Sequence, residues 1–258
     1  MRQFGLIGYP LSHSFSQKFF TEKFLQENIL NAQYDNFPIE SIQSFTALWE
    51  QHPSLEGLNV TIPYKKEVIS FLKHSSPVVQ EIHACNCIRK FNNELYGYNT
   101  DVIGFEKSLL PFLQAHHKHA LILGTGGAAA AVKWVLQQLN IQYQVVSRKG
   151  NNLELKTREV NTELKASLSY EQLTKSMVES HTLIINTSPL GMFPNVNEAP
   201  PIPYDAITAQ HHLYDLVYNP TETLFMKKGL EKGATIQNGL AMLHIQAEES
   251  WTIWNAKM

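Results

Sequence analysis

A glycine-rich segment in the middle of the chain reads Gly124-Thr125-Gly126-Gly127-Ala128-Ala129 and matches the pattern G-x-G-x-x-A. An apolar run precedes it and a helical pattern follows it, which is the context that a dinucleotide pyrophosphate requires. In that context Gly124 allows a tight turn, Gly126 a close approach of the backbone, and Ala129 the packing of the helix on the strand. The segment therefore predicts a dinucleotide site at a helix N-terminus, with an ordinary glycine turn as the alternative.

The residues that end the next predicted strand indicate which dinucleotide binds. Sites for NAD place Asp or Glu there, about 20 residues after the glycines, to bond the ribose hydroxyls. Here the strand ends in Ser147-Arg148-Lys149, with no acidic residue. Arg148 can hold a 2′-phosphate bidentately, Ser147 can donate to it, and Lys149 adds positive charge. We therefore predict NADP as the cofactor, with a solvated basic turn as the alternative.

Three polar segments in the first part of the chain could bind or protonate a small molecule. Asn59 to Lys66 places Lys65 at the start of a predicted helix, and a lysine beside a carboxylate can transfer a proton. Gly97 to Asp101 leaves a predicted hairpin and enters a helix, where Asp101 could simply be an N-cap. The serines of Gly8 to Ser16 could cap the next helix or bind a polyol or carboxylate. Taken singly, each segment is better explained by structure than by function.

The elements that must position these segments follow from the hydrophobic pattern. The first hundred residues alternate strand and helix signals and include a predicted hairpin over 87–98. From His119 onwards, predicted strands at 119–123, 143–147, 182–185 and 212–217 are separated by segments that include a helix at 128–139. Strand–turn–helix units of this length predict a parallel sheet wound with helices, and a last helix is predicted over 240–254.

Composition excludes several classes of protein. The 258 residues include 21 Lys+Arg and 23 Asp+Glu, a net charge of −2 without a basic stripe, so no nucleic-acid partner is expected. Hydrophobic residues make up 43% and aromatic residues 10%, which argues against disorder. The uncharged stretch from His119 to Val132 is shorter than the ~20 residues that cross a membrane, so no membrane partner is expected. No signal-peptide core is visible, and a cytoplasmic globular protein is predicted.

The residues that most often bind metals show no pattern typical of a metal site. Cys85 and Cys87 are one residue apart, which suits neither a disulfide framework nor a zinc site. His116, His117 and His119 form a run without a matching cluster elsewhere, so a solvated loop is expected there. No metal is predicted.

Together these segments resemble the shikimate dehydrogenase family along nearly the whole chain. The resemblance is carried by motifs in the family's order: Gly8 to Ser16, Asn59 to Lys65, Asn86 in a block like A-x-N-T, Gly97 to Gly104, Gly124 to Ala129, Asn186 to Met192, Asp215 to Tyr218, and Gly239 to Gln246. Any one of these motifs would mean little alone. Their number, order and spacing make the resemblance specific.

The resemblance implies an α/β fold with two lobes. A substrate-binding and catalytic domain would cover 1–101, a Rossmann domain that binds NADP would cover 102–235, and a C-terminal helix in 236–258 would complete the first lobe. The implied reaction is the NADP-dependent interconversion of 3-dehydroshikimate and shikimate, in chorismate and aromatic amino-acid biosynthesis. Its small-molecule substrate would be bound by a monomer or a homodimer.

The same resemblance implies roles for particular residues. Lys65 and Asp101 would be the proton-handling pair. The substrate would be bound by Ser14, Ser16, Thr61, Asn86, Asp101, Tyr218 and Gln246. The cofactor would be bound by Gly124, Thr125, Gly126, Gly127, Ala128, Ser147, Arg148 and Lys149, with Leu216 and Gly239 against the nicotinamide. A ketone that accepts hydride needs a nearby proton donor, which Lys65 can be, and needs no metal.

Three positions depart from the family pattern, and two alternatives stay open. Gln17 replaces a proline, Cys87 replaces a threonine, and Ser147-Arg148-Lys149 replaces N-R-T but keeps the arginine. One alternative is a quinate/shikimate dehydrogenase that uses NAD, against which the basic strand end argues. The other is a catalytically silent ligand-binding protein of the same fold, against which the retention of Lys65 and Asp101 argues.

Overall fold

The computed structural model describes residues 1–11, 15–150 and 167–257. The chain divides into a first unit, residues 1–104 with 244–258, and a second unit, residues 105–243. The predicted segment 236–258 is therefore split between the units at residue 243, because part of it extends the sheet of the second unit.

The first unit contains a mixed sheet with helices. Its strands are β1 (Arg2–Gly8), β2 (Ala32–Pro38), β3 (Leu55–Val60), β4 (His74–Ser75), β5 (Cys87–Phe91) and β6 (Glu94–Tyr98). Its helices are α1 (Phe15–Gln26), α2 (Phe45–Gln51), α3 (Pro77–Ile82) and α4 (Asp101–Leu109), and α4 continues into the second unit. The strand order is β2-β1-β3-β5-β6-β4, with β5 and β6 paired as the predicted antiparallel hairpin.

Several local features of the first unit differ from the sequence prediction. Strand β2 was not predicted, because it has no clean apolar alternation and lies at the edge of the sheet. The short helix α3 was also missed, although Pro77 at its first turn and the Ser76 side chain, which accepts from Val79 N, are typical start signals. Lys65 lies in a turn, and the 3₁₀ helix after it begins at Glu67.

The second unit contains a parallel sheet wound with helices. Its elements are β7 (His119–Leu123), α5 (Gly127–Gln138), β8 (Gln142–Ser147), β9 (Leu168–Ser169), α6 (Lys175–Ser180), β10 (Leu183–Asn186), β11 (His212–Asp215), α7 (Leu224–Leu230), β12 (Thr235–Gln237) and the start of α8 (Leu240–Asn255). The strand order is β12-β11-β10-β7-β8-β9 with every pair parallel.

This strand order is that of a Rossmann fold, in which the chain leaves the central strand first to one side and then to the other. Here β7 and β10 are the central neighbours, so the direction reverses between their carboxyl ends. Strands β10 and β11 are buried along their whole length, as expected when helices cover both faces of a parallel sheet. The predicted α/β fold is confirmed. None of the helices in the described ranges is long and apolar enough to cross a membrane.

The amino ends of the second unit's strands hold buried histidines. His117 is 3% exposed rather than part of a solvated loop, and His212 is fully buried with hydrogen bonds to Thr235 and Gln237. Burial lowers the pKa of His212 to about 4. An unfolded chain would protonate this histidine near its ordinary value of 6.5, so the unfolded state binds more protons between these pH values. The stability from His212 is therefore present above about pH 6.5 and is lost as pH falls towards 4.

We expect His212→Asn to remove this pH dependence. As the pH falls from about 6.5 to about 4, wild type should lose up to roughly 3 kcal/mol of unfolding free energy relative to the variant. Urea denaturation of both proteins at several pH values measures the difference. The buried carboxyl of Asp215 titrates in the same range with the opposite effect, but it is present in both proteins and cancels. Parallel pH profiles would contradict the prediction.

Candidate active site

The first unit brings together the two residues expected to handle protons. Lys65 Nζ donates to Asp101 Oδ2 at 2.6 Å, and their side chains are 18% and 11% exposed. Lys65 lies in the turn after β3, and Asp101 is the first residue of α4. The pair is thus largely buried, with an amine that can donate and a carboxylate that can orient it.

The β5–β6 hairpin explains why these residues meet. Its register pairs Cys87 with Tyr98, so the segments that leave this end of the hairpin lie side by side, and Asn86 Nδ2 lies 3.0 Å from Thr100 Oγ1. On the other side, Cys85 N donates to Lys65 O at 2.7 Å, which ties the lysine turn to the same hairpin. A hairpin and one backbone bond therefore place side chains from three loops at one point.

Asp101 is available for chemistry because another residue caps its helix. Asn99 Oδ1 accepts from Val102 N at 3.3 Å, and Asn99 Nδ2 donates to Ala84 O at 2.8 Å. The carboxylate of Asp101 instead accepts from Lys65 at one oxygen and from Asn86 Nδ2, at 2.8 Å, at the other. The N-cap interpretation of Asp101 is therefore wrong, since Asn99 performs that role.

A buried hydrogen-bond network continues from Asn86. Asn86 Oδ1 accepts from Thr100 N at 2.6 Å, and Asn86 Nδ2 lies 3.0 Å from Thr100 Oγ1. Thr100 Oγ1 in turn lies 3.4 Å from Gln246 Oε1 and 3.3 Å from Ser250 Oγ, both on α8. Ser250 Oγ also accepts from Asn59 Nδ2 at 2.9 Å. Helix α8 thereby joins the network at two positions four residues apart.

The network extends towards the substrate loop predicted after β1. Tyr34 OH donates to Asn59 Oδ1 at 2.9 Å, and the Tyr34 phenol is also hydrogen-bonded to Ser16. Burial raises the pKa of Tyr34, so the phenol stays protonated and can donate. Ser16 is thus linked to the Lys65–Asp101 pair by an almost continuous series of buried polar side chains.

The other predicted substrate residues lie in different places. Thr61 follows β3, half-buried, and its backbone N donates to Ile7 O at 2.9 Å. Tyr218 belongs to the second unit, after β11. Ser14 lies outside the described residues. The structure therefore joins four of the predicted substrate residues in one network, namely Ser16, Asn86, Asp101 and Gln246.

The two cysteines have no role in this chemistry. Both are fully buried, and burial raises the pKa of Cys85 to about 12 and also raises that of Cys87. Protonated, enclosed thiols are poor nucleophiles and poor metal ligands. Their buried side chains contribute to the packing of the first unit.

The predicted dinucleotide loop lies at the topological switch point of the second unit. Gly124 follows β7 with φ +120°, and a Cβ there would lie 2.8 Å from Thr187 Oγ1, in the loop after β10. A side chain is therefore excluded at Gly124 by both backbone and neighbours. Thr187 N also donates to Leu123 O at 2.9 Å, which joins the two loops.

The following residues leave room for a ligand. A Cβ at Gly126 would meet no atom within 4 Å, so the surface beside it is open. Gly126 is the N-cap of α5, and no side chain caps that helix. Thr125, Gly127 and Ala128 line the same turn, while Ala129 is buried against the sheet. Free N–H groups at a helix N-terminus, with open space in front, suit a pyrophosphate.

The basic strand end lies next to this loop in the sheet. Ser147 ends β8, which pairs with β7, and Arg148 and Lys149 are exposed beyond it. Ser147 Oγ lies 3.4 Å from Ser167 Oγ. Arg148 is exposed, and its planar guanidinium carries five N–H donors in a geometry that matches a phosphate. These residues fit a 2′-phosphate.

The two residues predicted to face the nicotinamide are in contact with each other. A Cβ at Gly239 would lie 2.1 Å from Leu216 O, and Gly239 N donates to Val217 O at 3.1 Å. Only glycine allows this approach. Leu216 is half-buried at the carboxyl end of β11.

Sequence reasoning missed several buried polar residues. Asn59 and Thr100 lie within recognised motifs but received no role, as did Asn186 and Asp215 in the second unit. Ser250 lies outside the recognised motifs, one helical turn after Gln246 and therefore on the same face of α8. The sequence signal that could have identified them is a polar residue at a position where the hydrophobic pattern predicts burial.

Comparisons with known proteins agree with this geometry. The model of the shikimate dehydrogenase substrate-binding domain matches residues 6–88. The shikimate dehydrogenase (NADP(+)) of Caldicellulosiruptor bescii is 35% identical, over 98% of this chain and 89% of its own length.

Solved structures give the same result. A crystal structure of shikimate dehydrogenase in complex with NADP+ has a TM-score of 0.85 at 29% identity, covering 99% of this chain and 90% of that chain. The shikimate 5-dehydrogenase of Thermus thermophilus, in complex with NADP(H) and shikimate, has a TM-score of 0.83 at 25% identity, covering 100% of this chain and 95% of that chain. The resemblance drawn from the motifs is confirmed, and the chain belongs to the shikimate dehydrogenase family.

Proposed function

We propose that this chain catalyses the reversible, NADP-dependent reduction of 3-dehydroshikimate to shikimate, a step towards chorismate and the aromatic amino acids. The observation that carries the proposal is the Lys65–Asp101 pair, held by Asn86 in a buried network. The glycine loop and the basic strand end of the second unit support the choice of cofactor. The names of the relatives, shikimate dehydrogenase (NADP(+)), support both assignments.

The chain's own residues account for the proton in this reaction. The bound cofactor supplies or accepts the hydride. As the C3 ketone is reduced, its oxygen gains negative charge, and the Lys65 ammonium stabilises that charge and donates a proton. Asp101 orients the amine and accepts from a substrate hydroxyl, while Asn86 holds the other oxygen of Asp101. In the oxidative direction, the neutral amine of Lys65 accepts the proton.

The remaining predicted residues bind the two ligands. Ser14, Ser16, Thr61, Asn86, Asp101, Tyr218 and Gln246 hold the carboxylate and hydroxyls of the substrate. The turn from Gly124 to Ala128 holds the pyrophosphate, and Ser147, Arg148 and Lys149 hold the 2′-phosphate. Leu216 and Gly239 lie against the nicotinamide. Two observations support these roles. Asn86 is hydrogen-bonded to Asp101 and Thr100, and Thr100 in turn contacts Gln246. The space beside Gly126 is open.

An absorbance assay at the nicotinamide band tests the proposal. The protein is mixed with shikimate or quinate, each with NADP⁺ or NAD⁺, and reduction is followed. We expect the fastest reduction with shikimate and NADP⁺. A preference for quinate with NAD⁺ indicates the quinate/shikimate alternative, and binding of shikimate without reduction in any mixture indicates a silent ligand-binding protein.

We also propose that the enzyme acts in the cytoplasm as a monomer or homodimer. Both sets of ligand-binding residues are present in one chain, so function does not require a larger assembly. Light scattering coupled to size-exclusion chromatography measures the mass, and a trimer or larger assembly contradicts this expectation.

Removal of the Ser16 hydroxyl should weaken the binding of the substrate but not that of the cofactor. We expect Ser16→Ala to raise the dissociation constant of shikimate by about 2- to 12-fold, the effect of one lost neutral hydrogen bond, and to leave NADP⁺ binding unchanged. Ser14→Ala should do the same. Calorimetric titration with each ligand measures both constants, with Ser70→Ala, at an exposed serine of the same unit, as the control. If NADP⁺ binding were weakened as much as shikimate binding, the assignment of this loop to the substrate would be wrong.

A further inference from the structure

Two buried polar side chains at adjacent strand ends of the second unit have no role in the proposed chemistry. Asn186 ends β10 and Asp215 ends β11, and the two are register partners in the sheet. Both side chains are completely buried. A buried carboxylate is costly unless it is fully hydrogen-bonded, so its partners indicate what it is for.

Asp215 holds the loop that follows β11 at both ends. Its Oδ1 accepts from Val217 N at 3.0 Å and from Asn186 Nδ2 at 2.9 Å, and its Oδ2 accepts from Thr223 Oγ1 at 2.6 Å. Val217 is near the start of the loop, and Thr223 is the N-cap of α7 at its end. Burial raises the pKa of Asp215 to about 6, and these donors oppose a further rise. One carboxylate therefore closes the loop 216–222.

Asn186 holds the loop after β10 in a similar way, through hydrogen bonds of its side chain. Its Oδ1 accepts from Ser188 N at 3.0 Å and Ser188 Oγ at 2.6 Å, and its Nδ2 reaches Leu190 O at 3.4 Å. Because Asn186 also donates to Asp215, the loops after β10 and β11 share one buried hydrogen-bond system.

The start of the loop 216–222 is held from further sides. Leu216 N donates to Asn186 O at 2.9 Å, and Gly239 N donates to Val217 O at 3.1 Å. Because Val217 N also donates to Asp215, both the backbone N–H and the backbone C=O of Val217 are hydrogen-bonded. Leu216, proposed to face the nicotinamide, is thus presented by a backbone with little freedom.

We propose that Asp215 is a positioning residue, which fixes the loop 216–222 so that Leu216 supports the nicotinamide end of the cofactor. This inference rests on the proposed function. Asp215 itself touches no ligand, because it is enclosed by its three donors. Its main effect should fall on the nicotinamide half, because Asp215 bonds directly to the loop 216–222 but reaches the glycine loop only through Asn186 and Thr187.

The test compares the whole cofactor with its adenosine half. Binding of NADP⁺ and of adenosine 2′,5′-bisphosphate is measured by calorimetry for wild type and Asp215→Asn. We expect the dissociation constant of NADP⁺ to rise about 10-fold, because a charge-assisted system is broken, while that of the bisphosphate stays within about twofold. Asp205→Asn is the control, since Asp205 is an exposed carboxylate of the same unit that pairs with Lys175.

A second pair of variants covers the case in which Asp215→Asn does not fold. Thr223→Val removes one donor to the carboxylate, whereas Thr223→Ser keeps the hydroxyl. We expect the valine variant to weaken NADP⁺ by about threefold with the bisphosphate unchanged, and the serine variant to resemble wild type.

Each outcome distinguishes a positioning role of Asp215 at the nicotinamide half from a general role in stabilising the fold. Equal weakening of both nucleotides, or of neither, overturns the positioning role, because general destabilisation does not distinguish the halves of the cofactor. Failure of wild type to bind either nucleotide contradicts the proposed cofactor and this inference together. Normal wild-type binding with an unselective variant contradicts the inference alone.

Discussion

Lys65→Ala is expected to lower kcat by about 10²- to 10⁴-fold while shikimate still binds. The expected loss corresponds to removal of the group proposed to donate to the developing alkoxide. Binding persists because Ser16, Asn86 and Gln246 are untouched, and Asn86 still holds Asp101 through its 2.8 Å bond. Steady-state kinetics in both directions, with calorimetric titration of shikimate, separate the two effects.

The adjacent lysine provides the control for this prediction. Lys66 is exposed in the same turn, and Lys66→Ala removes the same charge from the protein without touching Asp101. It should leave kcat within about twofold, as expected for a surface substitution. A Lys65→Ala enzyme with near-normal kcat, under conditions where chemistry limits the rate, would falsify the role of Lys65 and indicate a structural lysine.

Asp101→Asn should lower kcat as well, and it should also weaken the binding of shikimate. The amide no longer attracts the Lys65 ammonium as a carboxylate does, and it is a poorer acceptor for a substrate hydroxyl. The double variant Lys65→Ala/Asp101→Asn should lose less than the product of the single losses, because residues that act as a unit are not additive. Fully multiplicative losses would show that the two residues act independently despite their 2.6 Å contact.

Arg148→Ala is expected to raise KM for NADP⁺ about 10- to 150-fold more than KM for NAD⁺. Only NADP⁺ carries the 2′-phosphate that a guanidinium fork can hold with two hydrogen bonds. Arg148 is exposed, and exposed substitutions usually change stability little, so its removal should leave the fold intact. Initial-rate kinetics with both cofactors measure the ratio.

Two further variants sharpen the experiment on Arg148. Arg148→Lys keeps the charge but not the fork, so its KM for NADP⁺ should lie between those of wild type and Arg148→Ala. Lys227→Ala removes an exposed positive charge elsewhere in the second unit and should change neither KM. Equal losses with both cofactors in Arg148→Ala would show that this residue does not recognise the 2′-phosphate.

Local patterns in the sequence predicted much of the fold and the nature of the site. Gly124 was expected to permit a turn, and it has a positive φ with no space for a side chain. The hairpin, the parallel sheet and the last helix all follow from patterns within short windows, where backbone propensity and periodicity dominate. Short or edge elements such as α3 and β2 were missed, because few residues contribute to their signal.

The cap of α4 shows where local reasoning failed. An aspartate at the start of a helix is most simply a cap, and the sequence alone does not show whether Asp101 or the nearby Asn99 has that role. Only the fold shows that Asn99 caps the helix and that Asp101 turns to Lys65, 36 positions away. The same holds for Asn59 and Ser250, which are hydrogen-bonded across 191 positions.

The sequence by itself therefore determined the family, the α/β class and the positions of the glycine-rich turn and the basic strand end, since these depend on residue types at short spacing. Tertiary structure alone decided the strand order, the division of the C-terminal segment at residue 243, and the buried partners of Asn86 and Asp215. The physical reason is that a buried polar group must find a partner within about 3 Å of space, and packing rather than spacing along the chain decides which partner that is.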